Sequence, residues 1–160
     1  MSQKPSRVYE LLIKTTPERL WQALTVGELT KDYYYGGRVE STWRKGDRYQ
    51  FRDPEGQVGL FGEILEVNPP RKLVTTFQTA WDPQVDGAKP SVVTWQIEPL
   101  QDLCKLTFIH EDFDPAAFEA ADIHSGWILI LSGLKTLLET GKPMGMPSED
   151  PASSEVSAVS

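Results

Sequence analysis

Apolar and polar residues alternate through the middle of the chain, and that two-residue period predicts strands. Val93, Trp95 and Ile97 share one side of a strand, with Thr94, Gln96 and Glu98 on the other. Leu106, Phe108 and His110 line up in the same way, opposite Lys105, Thr107 and Glu111. Leu73, Phe77 and Trp81 make a third inward row. Turn-forming residues punctuate this region at Gly46-Asp47, Asp53-Pro54-Glu55-Gly56, Asn68-Pro69-Pro70, residues 82–90 and Gln101-Asp102. Strands are therefore expected near 38–43, 48–52, 57–67, 72–81, 91–98 and 103–112. Their short connections favour antiparallel neighbours. The resulting sheet has one apolar face, which another element must cover.

Near the C-terminus the period changes to that of a helix. Ile123, Trp127, Ile130, Leu131, Leu134, Leu137 and Leu138 form one apolar stripe, and Gly141 followed by Pro143 ends it. At the other end, residues 7–14 read as a strand. Thr15-Thr16-Pro17-Glu18 then announces a helix, because threonine caps, proline suits the first turn and glutamate suits the positive end of the dipole. Leu20, Ala23 and Leu24 give that helix its buried stripe, and a second short helix is expected over 27–33. This order predicts an α+β domain in which a curved antiparallel sheet closes around one long C-terminal helix. Residues 1–142 form that single domain, and the Pro- and Ser-rich residues 143–160 read as a disordered tail.

Length and charge narrow the function. A chain of 160 residues can bury a core without staples. Its net charge of −7 would repel nucleic-acid backbones and anionic membranes, so neither is an expected partner. Cys104 is the only cysteine and the first residues lack an apolar signal core, which together point to a cytoplasmic setting.

Four stretches, in order, carry a family resemblance. They are Thr16-Pro17-Glu18-Arg19-Leu20-Trp21-Gln22-Ala23-Leu24-Thr25, Gly62-Glu63-Ile64-Leu65-Glu66-Val67-Asn68-Pro69-Pro70-Arg71-Lys72-Leu73-Val74, Val92-Val93-Thr94-Trp95-Gln96-Ile97-Glu98-Pro99, and Gly126-Trp127 with Leu134-Lys135-Thr136-Leu137-Leu138-Glu139-Thr140-Gly141. Over residues 6–142 the chain resembles the START-like (SRPBCC, Bet v-type) superfamily, and within it the domain related to the activator of heat-shock-protein-90 ATPase. The resemblance implies a helix-grip fold with a cavity between helix and sheet. Members use that cavity for lipids, polyketides or plant metabolites, or use the domain for chaperone contacts. A scaffold does not dictate chemistry.

The residues themselves favour binding over catalysis. Trp81, Trp95, Trp127, Phe77 and Phe108 fall on inward faces, where they serve as core or as cavity lining. Tyr33-Tyr34-Tyr35-Gly36-Gly37 reads as an aromatic plug or a pocket mouth, which Trp43 could join. Gly126 and Gly133 lie on one flank of the closing helix, which suggests close packing or room for a ligand. His110, Asp112 and His124 match no established zinc spacing, so no metal is expected. Glu111 and Asp112 face opposite ways along a strand, and Asp114-Pro115 reads as a helix cap. No Gly-x-Ser-x-Gly elbow and no phosphate-binding glycine pattern occur.

The expectation is a carrier or sensor that binds a small, mostly apolar ligand, whether lipid, polyketide or aromatic metabolite. Tyr33, Trp43, Phe77, Trp95, Phe108, His110 and Trp127 are its expected contacts, with no catalytic residue and no cofactor. A chaperone-linked interaction domain is the alternative, and a cyclase or hydrolase using His110 with Asp112 ranks third. Ile128 and Leu129 fall off the buried stripe, which leaves room for a homodimer contact.

Overall fold

In the computed structural model, which describes residues 5–80 and 90–145, one seven-stranded antiparallel sheet takes the order β1-β7-β6-β5-β4-β3-β2. The strands are β1 (Ser6–Ile13), β2 (Arg38–Ser41), β3 (Arg48–Arg52), β4 (Val58–Asn68), β5 (Lys72–Thr79), β6 (Ser91–Leu100) and β7 (Leu103–Glu111). Helices α1 (Pro17–Thr25) and α2 (Gly27–Thr30) follow β1. After β7 come α3 (Pro115–Ala120) and the long α4 (Ile123–Thr140).

The helix signals operate as local chemistry demands. The Thr16 hydroxyl accepts from Arg19 N at 3.2 Å, and the Asp114 carboxylate accepts from Ala116 N at 3.1 Å. At the far end of α4, Gly141 adopts φ 78° and donates its N–H to Leu137 O at 2.8 Å. The second short helix stops at Thr30 rather than running to residue 33, and hydrogen-bonded turns carry the chain on to Gly37.

Alternation places the faces as expected. Trp95 sits opposite Phe108, Val93 opposite His110 and Ile97 opposite Leu106, and all of these side chains are buried. Leu73, Thr75, Phe77 and Thr79 form the inward row of β5. Trp81 and the loop from Asp82 lie outside the described residues, as does the tail beyond Gly145.

The sheet bends where its register shifts, between Phe51 and Arg52 on β3 and between Ile64 and Glu66 on β4. Gly62 permits close strand packing there, because a Cβ would stand 2.2 Å from Thr76 O. The concave face then receives α4, whose Trp127, Ile130, Leu131, Leu134, Leu137 and Leu138 are buried in the core.

Candidate functional site

The core does not fill the whole space between helix and sheet. At the N-terminal end of α4 a cavity of about 530 Å³ remains. Its sheet wall is Phe51, Leu60, Phe77 and Thr79. Its helix wall is Ile123, Gly126, Trp127, Leu129 and Ile130. Tyr34, Tyr35 and Gly37 close the side between α2 and β2. The exposed Tyr35, Asp122 and Ser125 mark the mouth. This volume lies within the roughly 300–1,000 Å³ usual for small-molecule pockets.

Each wall is held from behind. Thr30 Oγ1 donates to Gly37 O at 2.9 Å and accepts from Val39 N at 3.1 Å, tying the tyrosine loop to β2. Tyr34 stacks on Phe51 with ring centroids 4.2 Å apart. Trp127 packs 4.3 Å from Phe108 and 5.4 Å from Phe77, centroid to centroid. Its indole N–H donates to His110 Nδ1 at 3.0 Å. His110 Nε2 lies 2.8 Å from Ser91 Oγ, and that hydroxyl lies within hydrogen-bond reach of Phe77 O at 3.2 Å.

The polar groups at the cavity fall into two kinds. Near the mouth, Arg52 Nε donates to Glu40 Oε1 at 2.9 Å, and Asp53 Oδ1 accepts from Glu55 N and Gln57 N. Inside, Thr79 is 2 % exposed, and its buried hydroxyl has no hydrogen-bond partner among the described residues. Burial pushes the Tyr34 phenol well above its ordinary pKa, and burial followed by the Asp122 carboxylate raises that of Tyr35. Both therefore keep their protons at neutral pH.

The residues singled out in the sequence divide into three groups. Phe77 and Trp127 line the cavity directly. Tyr33, Trp43 and Trp95 border a void of about 30 Å³ behind Phe77 and Trp127. The Tyr33 hydroxyl is committed to Ala23 O at 2.7 Å. Phe108 and His110 reach neither space and instead support Trp127.

Several residues at the cavity escaped the sequence pattern. Tyr34 and Tyr35, rather than Tyr33, face the cavity, because φ of 53° at Tyr35 turns the chain there. Thr79 gave no sequence signal, since a threonine in an inward strand row ordinarily reads as packing. The paired glycines did carry one. Gly126 lines the cavity, whereas a Cβ at Gly133 would stand 3.1 Å from Tyr33 Cβ, which marks close packing. Leu129, expected to face outward, is half-buried at the cavity wall, so Ile128 alone of that pair is exposed, at 47 %.

Asp112 lies beyond the strand that carries His110. Strand β7 ends at Glu111, and φ of 64° at Asp112 breaks the alternation that would align it with His110. His124 is exposed and its Nδ1 lies 2.8 Å from the Tyr9 hydroxyl. No group of three His, Cys, Asp or Glu side chains gathers among these residues.

A long α4 gripped by a curved antiparallel sheet fits the sequence resemblance, and a family match decides it: residues 14–139 match the family described as activator of Hsp90 ATPase homolog 1-like protein. The chain belongs to this family. The family fold recurs in the solved Aha1 dimer from Colwellia psychrerythraea, with 20% identity and a TM-score of 0.70, covering 86% of this chain and 98% of that one. A protein of Mesorhizobium loti aligns with 29% identity and a TM-score of 0.68 over 84% of this chain and 96% of its own. An HSP90 activator from Plasmodium falciparum aligns with 18% identity and a TM-score of 0.68 over 83% and 95%. No curated protein matches the chain. No described helix is long and apolar enough to cross a membrane.

Proposed function

We propose that this family member binds a small, mostly apolar ligand in the cavity between α4 and the sheet. The observation that carries the reading is a space of about 530 Å³, open at one end and walled by Phe51, Leu60, Phe77, Trp127 and Leu129 between α4 and the sheet. Phe77 and Trp127 supply contact area, Tyr34 lines the side wall, and Tyr35 marks the mouth. Tyr33, Trp43 and Trp95 form a second layer behind the wall, while Phe108 and His110 hold the Trp127 ring in place. The protein acts in this reading as a carrier or sensor, with no covalent step.

Titrating the protein with a panel of lipids, polyketides and aromatic metabolites while following tryptophan fluorescence tests this. Saturable one-to-one binding that alters Trp127 emission is expected. Lack of any saturable change across the panel, confirmed by calorimetry, removes the reading.

The family match supports a second reading, stimulation of a heat-shock ATPase through a protein-facing surface. The relatives from Colwellia psychrerythraea and Plasmodium falciparum, described as Aha1 and as an HSP90 activator, point the same way. An ATPase assay with added Hsp90 separates the two: stimulation without ligand favours the chaperone role. The Colwellia protein is described as a dimer, and exposed Ile128 is the residue through which a homodimer of this chain would be sought by light scattering.

A further inference from the structure

We propose that the ligand is an uncharged apolar molecule bearing one hydroxyl or carbonyl group, and that this group pairs with the Thr79 hydroxyl inside the cavity. The inference rests on the binding role proposed above and narrows it to a chemical class.

Thr79 occupies the end of the inward row of β5, opposite Leu60, and both residues line the cavity. A buried hydroxyl is costly when it finds no partner, and interiors satisfy the great majority of such groups. Thr79 carries the cavity-lining hydroxyl that lacks a partner among the described residues, and the Tyr34 phenol, whose pKa burial raises, is a second hydroxyl at the same walls. The Thr79 hydroxyl can donate or accept, so it suits a ligand hydroxyl or carbonyl equally. Thr15, whose hydroxyl is likewise without a partner among the described residues, lies away from the cavity.

The charged groups decide against an ionic ligand. The three ionisable side chains of acid or base type at the cavity are Arg52, Asp53 and Asp122, of which two are carboxylates. The Arg52 cation is already joined to Glu40, at 2.9 Å. A carboxylate ligand would thus leave water for an apolar space whose nearest unneutralised charges repel it. A cationic ligand would find Asp53 and Asp122 at the cavity but no carboxylate in the inward row of β5 that carries Thr79.

The test uses three fluorescent probes of one shape: pyrene, pyrenemethanol and pyrenecarboxylate. Affinities are measured for the wild type, Thr79→Val and Thr79→Ser. The valine variant keeps the shape but loses the hydroxyl; the serine variant keeps the hydroxyl. Pyrenemethanol should bind the wild type about threefold to tenfold more tightly than pyrene, as one hydrogen bond allows. Thr79→Val should abolish that preference without changing pyrene affinity, Thr79→Ser should retain it, and pyrenecarboxylate should bind most weakly of the three. Pyrene and pyrenemethanol binding with equal affinity to wild type and Thr79→Val would overturn the role of Thr79 while leaving the cavity as a binding site. Tighter binding of pyrenecarboxylate than pyrenemethanol would overturn the uncharged class. Binding of none of the three would overturn the cavity reading and this inference with it.

Discussion

The Trp127 indole N–H donates to His110 Nδ1 at 3.0 Å, and both side chains are 2 % exposed. An indole nitrogen can only donate, so Nδ1 must be the bare nitrogen of a neutral imidazole. The proton then sits on Nε2, which donates to Ser91 Oγ at 2.8 Å, and Ser91 in turn donates to Phe77 O. Two cavity-lining residues, Trp127 and Phe77, are thus joined through one buried relay.

Breaking the first link should destabilise the domain. Trp127→Phe leaves His110 Nδ1 buried without a donor and opens a void, at a combined cost of about 2–3 kcal/mol. Urea unfolding measures it. Adding His110→Leu should cost less than the sum of the single changes, with a coupling of about 1 kcal/mol in the double-mutant cycle.

Acid should loosen the same relay. Burial lowers the His110 pKa to about 4, below its ordinary value of 6.5. The unfolded chain therefore binds the extra proton first. Stability from this residue is complete above pH 6.5 and is lost as pH falls from there toward 4, by about 3 kcal/mol in all. The urea midpoint should fall over that window in the wild type, and the fall should be shallower in His110→Gln. Equal slopes would show that other groups control acid sensitivity.

Gly126 should trade stability against binding. Glycine inside a helix costs about 1 kcal/mol relative to alanine. A Cβ at Gly126 would meet only the Tyr35 hydroxyl, at 3.2 Å, and that side-chain end can move. Gly126→Ala should raise stability by about 0.5–1 kcal/mol while weakening binding of pyrene-sized probes at the cavity wall. Thermal melts and probe titrations on the same sample check both halves.

Gly62 is the opposite case. Its Cβ would stand 2.2 Å from the carbonyl oxygen of Thr76 and 2.7 Å from Tyr49, and a backbone atom cannot swing aside. Gly62→Ala should cost more than about 3 kcal/mol, read as loss of the cooperative unfolding transition or of soluble expression.

The sheet and its covering helix were legible because burial leaves a periodic trace. Trp95 with Phe108 and Trp127 with Leu134 obey the two- and 3.6-residue periods that alternation demands. The cavity was legible only in outline, since packed and cavity-facing aromatics share those periods. Phe77 and Phe108 occupy equivalent inward rows, yet one borders the space and the other sits behind Trp127. Left-handed backbone at Tyr35 and Asp122 sets which side chains meet at the mouth; aspartate visits that region readily, but nothing in a tyrosine announces it. Thr79 was silent because the missing partner of its hydroxyl is a property of the surroundings.

The most direct test of the binding role is native mass spectrometry of gently purified protein, followed by denaturing extraction of whatever is released. The account predicts an uncharged, mostly apolar small molecule bound one to one, with occupancy reduced in Thr79→Val. Protein of bare mass that stays bare after incubation with lipid, polyketide and aromatic-metabolite mixtures would contradict it, and would leave the chaperone-linked reading in its place.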